Sequence, residues 1–182
     1  TFTTTEGSYS RNVYKTGVTS YVQKGENFYA RHLAKPMYAF ANAGGIATAE
    51  DLVAFAAAVN AGESIVNWMN ADGKVVLLND IDMSSVTAWT PIGASAFNWA
   101  SNALSLTSGN MFTGYFDGQG HTIKNFNMVC DNAVTGGAWG LFGGLGAGAV
   151  VENIVFDETC SLQVKATAPT DCGLVAGMMW DA

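Results

Sequence analysis

Apolar and polar positions change their period twice along this chain. Over residues 1–40, Tyr14, Val18, Tyr21, Phe28, Tyr29 and Tyr38 are spread through Thr-rich and alternating stretches with no helical recurrence. That spacing predicts strands or an extended arm packed against the body. Between Gly44 and Gly62 the period becomes helical, with Leu52, Phe55, Ala56 and Val59 recurring every three to four residues. Thr48 stands at the N-cap, Glu50 and Asp51 put negative charge in the first turn, and Asn60-Ala61-Gly62 ends the run. An amphipathic helix is therefore expected at about 48–61. It is short enough to lie as a lid over the end of a larger core and its unpaired strand edges.

From Gly73 onward the texture is short strands and glycine turns. Leu78-Asn79-Asp80-Ile81-Asp82-Met83, Ile123-Lys124-Asn125-Phe126-Asn127-Met128 and Val151-Glu152-Asn153-Ile154-Val155-Phe156 all read apolar, polar, Asx, apolar, any, apolar. Trp139-Gly140-Leu141-Phe142-Gly143 is echoed 33 residues later by Cys172-Gly173-Leu174-Val175-Ala176-Gly177. Offsets of 45, 28 and 33 residues suit a solenoid with turns of variable length, in which one coil cannot bury its apolar side alone. Stacking would set like residues over like, with Asn125 and Asn153 bonded in a corner ladder. In Asp117-Gly118-Gln119-Gly120 the two glycines permit positive φ, so a tight reversal is expected between Tyr115-Phe116 and His121-Thr122-Ile123. The fold expected is mainly β: a short right-handed parallel β-helix over 41–182, with the capping helix and an extended arm over 1–40.

Charge sharpens that boundary. Residues 1–40 carry five cationic side chains against two carboxylates; residues 41–182 carry only Lys74, Lys124 and Lys165 against thirteen. An acidic body repels phosphate backbones, and no basic stripe interleaves with the aromatics, so nucleic acid is not an expected partner. Cys130, Cys160 and Cys172 form no C-x-x-C pair and no His stands at ligand spacing, which argues against a zinc site. Free thiols are the plainer reading of the cysteines, a Cys160–Cys172 disulfide the alternative. No run of eighteen apolar residues marks a transmembrane helix. The chain begins at Thr1 without a hydrophobic leader, as expected if a signal segment was removed or never built.

Trp89-Thr90-Pro91-Ile92-Gly93, then Phe112-Thr113-Gly114-Tyr115-Phe116-Asp117-Gly118-Gln119-Gly120-His121-Thr122-Ile123-Lys124-Asn125, then Gly140-Leu141-Phe142-Gly143 resemble the repeat signature of GLUG-type proteins. Ile46 to Leu52 and Val76 to Met83 resemble the lead-in that often precedes it. The resemblance spans roughly residues 44–180. It implies an adhesin-like, β-helical protein of bacterial surfaces, in which the repeats are structural. Two departures stand out: an insertion rich in Ser, Asn and Ala over Ala94 to Asn110, and an end at Met178-Met179-Trp180-Asp181-Ala182 where another coil should continue. Either the N-terminal arm caps the last coil or more protein follows.

Candidate chemistry is sparse. Asp80, Asp82 and Asp117 are the best carboxylate trio for a glycosidase or a calcium-dependent lyase, but they also read as ladder and turn residues. His121 and His32 each lack a Cys or Ser partner and make poor bases. Gly144-Leu145-Gly146-Ala147-Gly148 lacks the Lys and long helix of a phosphate loop and reads as a coil corner. No cofactor signature is present. Of Trp68, Trp89, Trp99, Trp139 and Trp180, the second and fourth lie inside repeat motifs and read as core. Trp99 lies among small polar residues of the insertion and is the candidate ligand contact. The function expected is a non-enzymatic surface module, secreted or lipid-anchored at the outer membrane. It would bind a glycan, a peptide or a partner protein, as an adhesin or as an accessory lipoprotein of a nutrient transporter. The alternative is a carbohydrate-active enzyme on the same scaffold.

Overall fold

The computed structural model describes residues 18–24, 27–33, 44–100, 103–130, 137–165 and 171–181. The chain divides into two compact units, Thr1–Ala43 and Gly44–Ala182. In the first, strands β1 (Val18–Lys24) and β2 (Asn27–Leu33) pair antiparallel, Val22 opposite Tyr29. The side chains of this unit, His32 included, lie outside the described residues, as does the rest of the expected arm.

The second unit opens with helix α1 (Ala49–Ala61), begun by the capping box that its sequence encodes. The Asp51 amide donates to Thr48 Oγ1 at 3.1 Å, and the Thr48 amide donates to Asp51 Oδ2 at 3.2 Å. Gly62 closes the helix at φ +71°, its amide directed to the Ala58 and Val59 carbonyls. Leu52, Phe55, Ala56 and Val59 are buried. The Phe55 ring meets Trp68, Phe112 and Phe116 with centroids 5.7, 5.9 and 6.1 Å away. Just before the helix, Ile46 bridges to Leu77 and so occupies backbone groups beside the first strand of this unit.

After the helix the unit is mainly β and mostly parallel. Strands β3 (Val75–Val76), β7 (Tyr115–Asp117) and β12 (Val150–Glu152) form one sheet, with β7 in the middle. A second sheet holds β4 (Ile81–Asp82), β8 (Thr122–Lys124) and β13 (Val155–Phe156), with β8 in the middle. Three parallel pairs complete it: β9 (Asn127–Cys130) with β14 (Ser161–Val164), β10 (Ala138–Trp139) with β15 (Asp171–Cys172), and β11 (Phe142–Leu145) with β16 (Ala176–Met179). Parallel partners must be joined by crossovers, and here the crossovers are themselves other short strands of the same unit. The Ala94 to Asn110 insertion is an antiparallel hairpin, β5 (Ser95–Ala100) with β6 (Ala103–Gly109).

Register corrects the expected stacking. Ile81 lies beside Ile123, and Ile123 beside Phe156, instead of the motif alignment that set Ile81 level with Phe126 and Ile123 level with Val151. Ile81 and Ile123 have no exposed surface and meet in the interior column. The echo at 33 residues is a true register where Trp139 lies beside Cys172, and it lengthens to 34 where Phe142 lies beside Ala176. Leu141 and Phe142 are fully buried within it.

The corners differ from expectation as well. Asn125 and Asn153 do not bond one another. Each takes the left-handed conformation, at φ +54° and +56°, that Asn tolerates better than most side chains, and each donates its amide to a carboxylate. Asn125 Nδ2 reaches Asp82 Oδ1 at 2.8 Å and Asn153 Nδ2 reaches Asp117 Oδ1 at 3.0 Å. The segment Asp117-Gly118-Gln119-Gly120 makes no hairpin, because β7 and β8 belong to different sheets. Gln119 and Gly120 carry the positive φ, whereas Gly118 is there for proximity: a Cβ on it would lie 2.4 Å from the Asn153 carbonyl oxygen.

Candidate functional site

The carboxylates are committed to those corners. Asp80 Oδ1 accepts the Thr122 amide at 2.9 Å, and its carboxylate stands 3.4 Å from both His121 Nδ1 and Lys124 Nζ. His121 is therefore not isolated, as the sequence suggested, but faces an acid. The Thr122 amide above all holds the Asp80 carboxyl below its ordinary pKa. Asp82 accepts from Asn125 and, at 2.9 Å, from the Ser84 amide; these bonds, Asn125 first, lower its pKa too. Asp117 is 5% exposed and accepts from the Gln119 amide at 2.9 Å and from Gln119 Nε2 at 2.6 Å, besides Asn153. Lys74 Nζ lies 3.9 Å from it, 3.5 Å from Glu152 and 3.9 Å from the Tyr115 ring centre. Burial raises the pKa of Asp117, but the donors and the Lys74 ammonium outweigh burial and leave it below the usual value. A glycosidase general acid needs a carboxyl held protonated, and all three of these are pushed the other way. Among the described residues no group of three or more His, Cys, Asp or Glu could hold a metal ion.

A cleft of about 290 Å³ opens where the hairpin leaves the parallel strands. Trp89, Thr90 and Pro91 form one wall, and Ala94, Ser95, Ala96 and Ser108 from the hairpin base another. Gly137, Ala138 and Trp139 complete it. The hairpin base is fixed from both sides. Asn60, in the last turn of α1, donates Nδ2 to the Pro91 carbonyl at 3.0 Å and accepts the Ala94 amide at 2.8 Å. Ala96 bridges Gly137 on the opposite side.

The two tryptophans are held differently. Trp89 sits edge-on to Phe126, centroids 5.8 Å apart, and its Nε1 donates to the Gly140 carbonyl at 3.0 Å. Trp139 is half-buried, yet its Nε1 is buried and has no hydrogen-bond partner among the described residues. A buried indole donor without an acceptor is rare in a folded protein. The cleft is thus lined by two tryptophans and by the hydroxyl-bearing Thr90, Ser95 and Ser108, of which Ser95 already donates its hydroxyl to the Gly93 carbonyl at 2.8 Å.

Sequence reasoning placed Trp89 and Trp139 in the core and singled out Trp99. Trp99 pairs with Leu104 in the hairpin, but its side chain lies outside the described residues. Trp68 packs on Phe55, and Trp180 meets Phe97 at 6.2 Å. The sequence held one partial signal: the insertion begins directly after the Trp89 motif, which puts its base near that indole, but nothing in it brings Trp139 to the same place.

No protein-family model matches the chain, and no solved structure matches it. Among curated proteins, Halomucin of Haloquadratum walsbyi is 36% identical over 101 residues, which is 56% of this chain and 1% of that protein. The chain therefore spans only a small fraction of the relative it matches. Among the described residues no helix is long and apolar enough to cross a membrane.

Proposed function

We propose that this chain is a non-enzymatic binding module of a cell surface or extracellular protein, built on a short right-handed parallel β-helix of the GLUG type, and that its cleft takes a sugar ring of a glycan. The observation that carries the reading is a cleft lined by two tryptophans and three hydroxyl-bearing side chains. Sugars present apolar C–H faces that stack on aromatic rings, together with hydroxyls that bond to polar side chains such as Thr90 and Ser108, so both kinds of lining have a use. The solenoid is supported by the five sets of parallel pairings and by Asn side chains at successive corners. A right-handed sense follows from the twist that governs parallel crossovers. The non-enzymatic part is supported by the use of Asp80, Asp82 and Asp117 as corner acceptors with lowered pKa values. The partial similarity to Halomucin supports the location.

A glycan array probed with the labelled chain tests this, followed by tryptophan-fluorescence titration of the best binder. Ser108 is exposed on the hairpin, so Ser108→Trp fills the cleft without touching the core. Binding should weaken at least about tenfold, a loss of about 1.4 kcal/mol. Equal binding by a folded Ser108→Trp protein, or no glycan bound by the parent, refutes the proposal.

A further inference from the structure

A second cleft, of about 260 Å³, shares a wall with the first. Trp89 and Thr90 line both, and the second is completed by Val53, Ala57 and Asn60 of α1 and by Ala88. The shared wall is fixed in place. Trp89 is held by its bond to the Gly140 carbonyl and by its contact with the Phe126 ring, so the indole cannot swing over either cleft. Asn60 lines the second cleft while its side-chain amide bonds to Pro91 and Ala94, which line the first. One side chain therefore holds the two clefts in a constant relation.

The helix face at the second cleft is unusual for a surface. The outward face of a surface helix normally carries charged or polar residues, but α1 has no charged side chain after Asp51. Val53 is 40% exposed, and Ala57, one turn on, is exposed as well. Among the described residues lining either cleft, none is charged. Residues 41–182 carry thirteen carboxylates against three lysines, so two adjoining clefts free of charge stand out from the body around them.

We infer that the two clefts are adjacent subsites of one groove, and that the groove takes a neutral oligosaccharide, one ring in each cleft with the linkage passing over Trp89-Thr90. The inference rests on the sugar reading of the first cleft and adds the length and charge of the ligand. Each cleft is slightly smaller than the roughly 300 Å³ at which small-molecule sites begin, so each suits a single ring; together they fall inside that range. In the second cleft Val53 and Ala57 supply the apolar side that a ring's C–H face needs, and the exposed Thr90 brings a hydroxyl to the junction. Acidic and sulfated sugars find no cation in either lining and meet a body of their own sign.

Titration of the full chain, followed by NMR, with neutral gluco-, galacto- and manno-saccharides of one ring and of two tests the inference. In the series that binds, affinity should rise at least about tenfold from one ring to two, because the second ring enters as an intramolecular event. Ala57→Trp fills the second cleft from an exposed helix position, and Val53→Trp does so from one turn earlier on the same face. Each should bring two-ring affinity down to the single-ring value and leave the single ring as it was, whereas Ser108→Trp should weaken both. Equal affinity for one ring and two, two-ring binding untouched by both helix variants, or tighter binding of an acidic sugar than of its neutral counterpart overturns the inference and leaves the first-cleft reading standing. A parent that binds no sugar removes the first-cleft reading and this one with it.

Discussion

Asp117 separates a structural carboxylate from a catalytic one, because the two make opposite predictions for Asp117→Asn. In the native corner Oδ1 accepts from the Gln119 and Asn153 donors and Oδ2 accepts from Gln119 Nε2, with Lys74 close by. Asparagine keeps one acceptor and turns the other into an NH₂ that confronts Gln119 Nε2 and the Lys74 ammonium. One charge-assisted bond, worth about 1.5–3 kcal/mol, is lost outright and two others are weakened. The expected destabilisation is about 2–3 kcal/mol, or a fall in Tm of about 4–12 °C for a chain of this size. Thermal unfolding followed by circular dichroism measures it. The pH dependence follows from the lowered pKa of Asp117. A carboxylate with a depressed folded pKa contributes fully above its unfolded value of about 3.9, and that contribution is lost as pH falls through the folded value. The difference between parent and variant should therefore be flat from pH 7 to about 5 and shrink below about 4. A variant as stable as the parent, or more stable, would mean that the charge is held at a cost for some other use, and the enzyme reading would regain its strongest residue.

Two further substitutions test the architecture by the same measurement. Gly118→Ala drives a Cβ to 2.4 Å from the Asn153 carbonyl oxygen and 2.9 Å from Ile154 Cα, both backbone, so it should cost about 1–3 kcal/mol or more. Gly120→Ala meets nothing within 4 Å and suffers only its φ of +77°, so it should cost about 1–2 kcal/mol; the reverse ranking would refute the close approach at Gly118. Phe55→Ala removes the ring that joins α1 to Phe112 and Phe116, and should cost about 3–5 kcal/mol. A cost below about 1 kcal/mol would mean that the helix is not part of this core.

The helix was readable to within a residue because everything that makes it is local: a cap, a first-turn acid, a recurring apolar face and a terminating glycine lie within fifteen consecutive positions. The parallel pairing was readable only where the repeat was dense in unusual residues. Trp139 and Cys172, each followed by glycine and leucine, announced their register. The looser pattern of apolar, polar and Asx residues did not, since Ile123 and Phe126 are both buried and either could have been the partner of Ile81. A binary pattern carries period, but choosing between two buried neighbours needs the shape of the column they enter.

The cleft was hidden for a related reason. Its walls come from positions about fifty residues apart, Trp89 and Trp139, and from the two ends of a hairpin that the pattern could only label an insertion. A tryptophan inside a repeat motif reads as core, and Trp89 bears this out on one side of its ring, where it packs on Phe126 and spends its N–H on Gly140. Trp139 occupies an equally repetitive position, but its N–H has no partner among the described residues, and nothing in the local sequence distinguishes the two. The distinction arises from the hairpin: held by Asn60 and by the bridge from Ala96 to Gly137, its base stands beside the indoles and turns one flank of the core into a walled cleft. The cleft exists because the insertion joins the parallel strands here, so the residues to mutate first in testing the proposed binding are those at that junction.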